Sequence, residues 1–188
     1  EYVSLNLRYP PSFIQVHTAK EALEVLEDEN IDLIISMLNV GDMDTFDLAK
    51  LLKERYPKIP LVVLTHFSRE VSLRLEKEDL SAIDYVFCWL GNADLLLAII
   101  KLIEERMNAD HDILEGGVQA LILVEDSVRY YSTFLPNMYK IVLRQARSFM
   151  KEALNERQRM LRMRGRPKIL MATNYNDAIA LYERYKSS

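Results

Sequence analysis

The residues best suited to chemistry are an adjacent acidic pair, Glu125-Asp126, set directly after the apolar run Val118–Val124 and followed by Ser127. Two carboxylates at the end of a buried strand are costly unless they reach water or a cation. The alternatives are a cation site or a solvated strand end in which Ser127 caps the next helix. Thr65, His66 and Ser68 lie close in sequence, but no orienting carboxylate stands beside them, so nothing indicates nucleophilic catalysis. His17, His66 and His111 lack metal-ligand spacing and read as strand-end or surface histidines. Asp42 and Asp44 flank a turn after an apolar strand and read as a turn residue and a helix N-cap. Cys88 is the one cysteine, which excludes an internal disulfide and fits a buried strand thiol in a reducing compartment. No glycine-rich loop is present to cradle a phosphate.

A second feature is charge. Residues 1–115 hold 11 Lys/Arg and 22 Asp/Glu, whereas residues 116–188 hold 13 and 6. Ten of the basic residues fall between 138 and 168: Lys140, Arg144, Arg147, Lys151, Arg157, Arg159, Arg162, Arg164, Arg166 and Lys168. Nucleic-acid binding is one reading of such a run. Apolar residues recur through it, however, at Ile141, Leu143, Ala146, Phe149, Met150, Ala153, Leu154, Met160, Leu161 and Met163. An apolar stripe with basic flanks packs against a protein partner, and the acidic half of the chain, or of another copy, is complementary to it. Arg144, Arg147, Lys151, Arg157 and Arg162 would carry that interaction.

The elements that must position these groups alternate. Residues 13–17 read as a strand and 19–29 as an amphipathic helix. Asp32–Met37 is a continuous apolar strand, followed by a helix over about 44–55 that stops at Tyr56-Pro57. Pro60–Thr65 is a strand, 68–78 a polar helix, 84–88 a strand, and 92–107 an amphipathic helix with Asn92 as N-cap. The order then restarts with strand 118–124, a long helical stretch over 128–164 interrupted at Pro136, strand 168–171 and helix 174–186. Lys168–Tyr185 echoes Phe13–Asn30, and matching Ala178 to Ala22 gives an offset of 156 residues. The 188 residues, 49% hydrophobic and 28% charged, give an α/β protein with a doubly wound parallel sheet. The expected domains are 1–108, a linker at 109–117 around Gly116-Gly117, and 118–188. No membrane-spanning run or signal pattern is visible, and cytoplasm is the default.

These residues resemble the receiver domains of bacterial two-component response regulators. Asp32-Leu-Ile-Ile-Ser-Met37 and the loop to Leu48 look like the family's third strand, Pro60–Thr65 like its fourth, Asp84–Trp89 like its fifth. Leu121-Ile-Leu-Val-Glu125-Asp126-Ser127 looks like the first strand of a second receiver. The resemblance implies a flavodoxin-like fold. In the family, three carboxylates gather around Mg2+, with a nucleophilic Asp ending the third strand, a Ser/Thr ending the fourth and a Lys ending the fifth. Here those last three positions hold Met37, Thr65 and Cys88. A thioether cannot form an acyl phosphate, and a thiol offers no positive charge. Residues 1–108 thus read as a degenerate receiver, with Met37 filling the vacated site as a buried core residue. Asp42 or Asp44 as substitute nucleophile is the lesser alternative. Glu125 and Asp126 would hold Mg2+ if the second unit is an active receiver, its third carboxylate lying beyond residue 188. More loosely, the order of elements is similar to the receiver-like front region of bacterial signalling proteins of the phosphoenolpyruvate synthase or pyruvate phosphate dikinase type.

The resemblance implies a regulatory, non-enzymatic module acting by protein–protein docking. An Mg2+-dependent phosphoacceptor in the second unit and a nucleic-acid-binding regulator are the alternatives. It also implies a strand order of 2-1-3-4-5, whose central strand residues 1–12 do not supply. Either a segment upstream of these residues supplied it, or Val118–Val124 fills the gap, within one chain or through a strand-swapped dimer.

Overall fold

A computed structural model describes residues 11–66, 68–150 and 165–187. Two compact units divide the chain, residues 12–91 and a second built from residue 92 onward. This differs from the expected boundary at 109–117. The amphipathic helix after residue 92 packs with elements that follow it, and the expected linker is itself helical.

The first unit begins with chain of no regular structure over 12–16 and helix α1, Ala19–Asp28, whose N-cap Thr18 accepts the Glu21 N–H at 3.1 Å. Strand β1 is Ile34–Met37, and a two-residue hairpin follows: β2, Asn39–Val40, against β3, Met43–Asp44. Helix α2 is Thr45–Arg55, β4 Leu61–Thr65, α3 Arg69–Leu75 and β5 Tyr85–Cys88. The sheet is wholly parallel, in the order β1-β4-β5, with Met37 beside Leu64 and Thr65 beside Cys88. Every residue of β4 and β5 is buried, as expected of apolar runs without alternation. Phe46, Leu48, Ala49, Leu52, Ala82 and Ile83 join them in the core. At the amino ends of the strands, Asp84 Oδ2 accepts from Lys53 Nζ and from the Leu61 N–H, both at 2.9 Å, which fixes where β4 and β5 start.

Residues 13–17 form no strand. A β-strand needs a ladder partner, and among the described residues 13–17 are assigned none, although the Gly41 N–H reaches the His17 carbonyl at 3.4 Å; Phe13 and Ile14 are exposed.

The second unit starts at the helix N-cap Asn92, entered through Gly91 at φ +72°, a left-handed conformation that glycine alone adopts without strain. Helix α4 is Ala93–Ala109, and it runs on into a π-helical turn, Asp110–Glu115. Strand β6 is Ala120–Val124, α5 Val128–Met150, β7 Lys168–Ala172 and α6 Tyr175–Tyr185. Strands β6 and β7 pair in parallel with each other, in a sheet of their own. The expectation that 118–124 completes the sheet of β1 within one chain is not met among the described residues: β6 uses one edge for β7, the nearer strand of the same strand–helix–strand unit, and shares no ladder with β1. Helix α4 packs against β7 and α5. Ala109, Ile113, Leu170 and Tyr185 form one buried cluster. Helix α5 does not break at Pro136, as the sequence suggested, but continues through it. Its buried residues Tyr131, Leu135, Tyr139, Leu143 and Ala146 recur at helical spacing on both sides of the proline, so packing holds the helix across the lost hydrogen bond. Lys151, Arg157 and Arg162 lie outside the described residues. No helix among the described residues is long and apolar enough to cross a membrane.

Candidate functional site

The carboxyl ends of parallel strands are where an open α/β sheet gathers functional groups. In the first unit this end holds Met37, Thr65 and Cys88, brought together by the parallel register. Thr65 and Cys88 are adjacent across the β4–β5 ladder and buried. The Thr65 hydroxyl donates to the His66 carbonyl at 3.1 Å, and its own carbonyl accepts the Trp89 N–H at 2.8 Å. Met37 is 44% exposed, which corrects the expectation of a buried core methionine. Its strand is the edge of the sheet, so its side chain has packing on one flank only.

Both loop carboxylates are engaged in capping. Asp42 Oδ1 accepts the Ala19 N–H at 2.6 Å and Oδ2 the Lys20 N–H at 3.3 Å, so the hairpin after β1 closes the amino end of α1. The Ala19 bond comes first among the causes that hold the Asp42 carboxyl below the usual range. Asp44 caps α2 through the Phe46 N–H at 2.9 Å and pairs with the Arg74 guanidinium, which lies 5.0 Å from the Phe46 ring centre. Partial desolvation pushes the Asp44 carboxyl up; the Phe46 bond and Arg74 outweigh it, and the pKa is lowered. A carboxylate stabilised in this way is a poorer nucleophile. His17 and His66 are exposed, and His111 pairs with Glu115 at 2.8 Å on the other unit.

In the second unit, the Glu125 N–H continues the β6–β7 ladder to the Ala172 carbonyl at 3.1 Å, and Glu125 Oε1 accepts the Ser127 N–H at 3.0 Å. Ser127 Oγ in turn accepts the Tyr130 N–H at 3.4 Å as α5 begins. Asp126 is exposed. Among the described residues no three His, Cys, Asp or Glu side chains converge as metal ligands. Glu125 and Asp126 alone are short of the donor set that Mg2+ takes. Arg144 and Arg147 lie on the exposed side of α5, opposite the buried stripe; Ile141, assigned to the apolar stripe from sequence, is also exposed.

Parts of the chain match known proteins. A stretch of 68 residues is 31% identical to the DNA-binding transcriptional regulator NtrC of Proteus hauseri, covering 36% of this chain and 14% of that protein. A stretch of 74 residues is 35% identical to the response regulator protein FleR of Pseudomonas aeruginosa, covering 39% of this chain and 15% of that protein. The chain is similar to response regulators. The match spans about one-seventh of those relatives' length. No protein-family model matches. Together with the parallel β1-β4-β5 sheet and its intervening helices, the fold class is that of a flavodoxin-like receiver.

Sequence reading missed one cluster entirely. Glu105, on α4, is buried and accepts from the Ile169 N–H at 2.8 Å, from Tyr139 Oη at 3.2 Å and from the Arg166 guanidinium, whose side chain is 2% exposed. Lys101 lies one turn earlier, with Nζ at 2.5 Å from Glu104 and 4.0 Å from Glu105. Burial lowers the Lys101 pKa against the pull of those carboxylates. The visible signal was position: Lys101 and Glu105 sit among Ala98, Leu102 and Ala109 on the buried stripe of α4. Arg166 was read as one more member of the basic run. Its burial ties the end of that run to β7, and Lys168 pairs with Asp112 at 3.4 Å in the same way.

Proposed function

We propose that this chain is a cytoplasmic signal-transduction module of the receiver type, whose first unit works by protein–protein docking and not by accepting a phosphoryl group. The observation that carries this reading is the set Met37, Thr65 and Cys88 at the strand ends. It lacks the carboxylate nucleophile and the cation of that site, and the two nearby carboxylates are engaged as helix caps. The similarity to response regulators supports the signalling role. The exposed basic side of α5 supports docking to an acidic protein surface. Membership of a longer phosphoenolpyruvate synthase-type signalling protein is part of the same proposal, as is Mg2+ at Glu125-Asp126 when a third carboxylate is supplied.

The test is incubation of the whole chain with acetyl phosphate and Mg2+, followed by phosphosite mapping by mass spectrometry. No phosphoryl group is expected on residues 12–91, in the natural chain or in Met37→Asp, because the cation at position 88 is missing as well. A hydroxylamine-labile phosphoryl group on Asp42 or Asp44 would overturn the reading.

A further inference from the structure

Two of the open sheet edges among the described residues match each other. Strand β1 uses one side only, against β4. The Ile34 N–H reaches the Pro60 carbonyl at 3.0 Å, so Ile34 and Ser36 present their backbone groups to β4. By alternation, the N–H groups of Ile35 and Met37 point the other way. Among the described residues nothing pairs with them. Ile34 and Ile35 are only half-buried, whereas every residue of β4 and β5 is buried.

Strand β6 is the counterpart. Gln119 O accepts the Lys168 N–H at 2.9 Å and the Glu125 N–H reaches Ala172 O, so the odd-numbered residues face β7. Ala120, Ile122 and Val124 then turn their backbone groups outward. Residues 120–123 of β6 are half-buried and Val124 is 56% exposed, although its partner β7 is buried throughout. A two-stranded parallel sheet with an apolar outer edge is not a stable end state.

We propose that a second copy of this chain supplies the neighbour of β1: its β6, with β7 behind, lies parallel to β1 and gives the order β7-β6-β1-β4-β5. The exchange is reciprocal, each copy's second unit completing the other copy's first, and so closes as a two-fold dimer. The strands agree in direction, in apolar character and in length, five residues against four. Charge agrees too: residues 12–91 hold 8 Lys/Arg and 15 Asp/Glu, residues 92–188 hold 15 and 12. Parallel alignment brings Glu125 and Asp126 of one copy to the strand ends that carry Met37 and Thr65 of the other. The proposal is independent of whether any phosphoryl transfer occurs there.

Cross-linking in trans tests it on the whole chain. Neighbouring strands lie about 4.8 Å apart, within disulfide reach. Met37→Cys chains are mixed with separately tagged Val124→Cys chains under mild oxidation; the natural Cys88 is buried and Met37 and Val124 are exposed. The expected product is a hetero-disulfide forming at least several-fold faster than with Leu73→Cys, a control of equal exposure at 45%. Equal rates for the two pairs overturn the proposal. So does a Met37→Cys/Val124→Cys double variant that closes only within one chain. In parallel, sedimentation velocity should show a dimer for the natural chain. A shift toward monomer is expected for Ile122→Pro, which removes an outward N–H while sparing the β6–β7 ladder. Should proline unfold the unit by circular dichroism, Ile122→Lys is read instead, and a dimer that persists in a folded variant refutes the pairing.

Discussion

Replacing Glu105 by alanine should be the most damaging single change in the second unit. Its carboxylate is 2% exposed and serves the Arg166 guanidinium, the Ile169 N–H and the Tyr139 hydroxyl at once. Removing it leaves a guanidinium buried without that counter-charge, and the Arg166 Nε has no acceptor among the described residues. Breaking one side of a buried ion pair costs about 3–5 kcal/mol. The orphaned Ile169 N–H lies within a fully buried β-strand, and losing its acceptor there alone costs about 1–3 kcal/mol. The terms overlap, because one side chain serves all three, so about 4 kcal/mol is expected in total. Against a domain stability of roughly 5–15 kcal/mol that is a large fraction. Urea unfolding followed by tyrosine fluorescence measures the loss, and amide exchange at Ile169 localises it. The double variant Glu105→Met/Arg166→Met should recover much of it, because an apolar pair of similar volume needs no counter-charge. A loss below about 1 kcal/mol in Glu105→Ala, with Ile169 still protected, would falsify the account of this cluster.

Other perturbations have equally definite outcomes. Arg184 and Tyr185 bond the Asp110 carboxyl and lower its pKa below the ordinary 3.8. The folded pKa lies under the unfolded one, so the stabilisation is present above pH 3.8 and lost as pH falls through the lowered value; Asp110→Asn should flatten that acid limb in a series of melting curves. Phe87 has no exposed surface, and Phe87→Ala should cost about 3–5 kcal/mol, read through the fluorescence of Trp89 two residues away. Asp44→Ala removes the α2 cap and the partner of Arg74, and should cost about 1 kcal/mol in denaturant unfolding. Met37→Asp should leave residues 12–91 unable to accept phosphate from acetyl phosphate, as mass spectrometry would show.

The alternation of apolar runs and amphipathic stretches made most elements legible, because each is set by local periodicity. The neighbours within β1-β4-β5 and β6-β7 follow the order that the resemblance implied; the fate of 13–17 was not legible, since it has the composition of a strand and, among the described residues, no ladder partner. Gly116-Gly117 suggested a linker over 109–117, yet Ile113 is fully buried and carries the helix on through Glu115, so only the last two residues break it. Pro136 suggested an interruption, but Leu135 and Tyr139 on either side are buried on one stripe. At the candidate site, Met37, Thr65 and Cys88 were legible as strand ends. The exposure of Met37 was not, because an edge strand reads like a central one. The role of Asp44 as a cap and of Asp42 as a turn residue followed from the turn around Gly41; the reach of Asp42 across to cap Ala19 did not.

The placement of α4 has a practical corollary for dissecting this protein. Sequence pattern invites a cut near residue 108, keeping α4 with the strands before it. Leu95, Ala98, Ile99, Leu102 and Glu105 are buried on a helix that packs against β7 and α5, so such a fragment would leave that face without those partners. It would also strand Arg166 and Tyr139 without their acceptor. The left-handed Gly91 marks the better cleavage point, and fragments separated there, 12–91 and 92–188, should be the more soluble pair on expression.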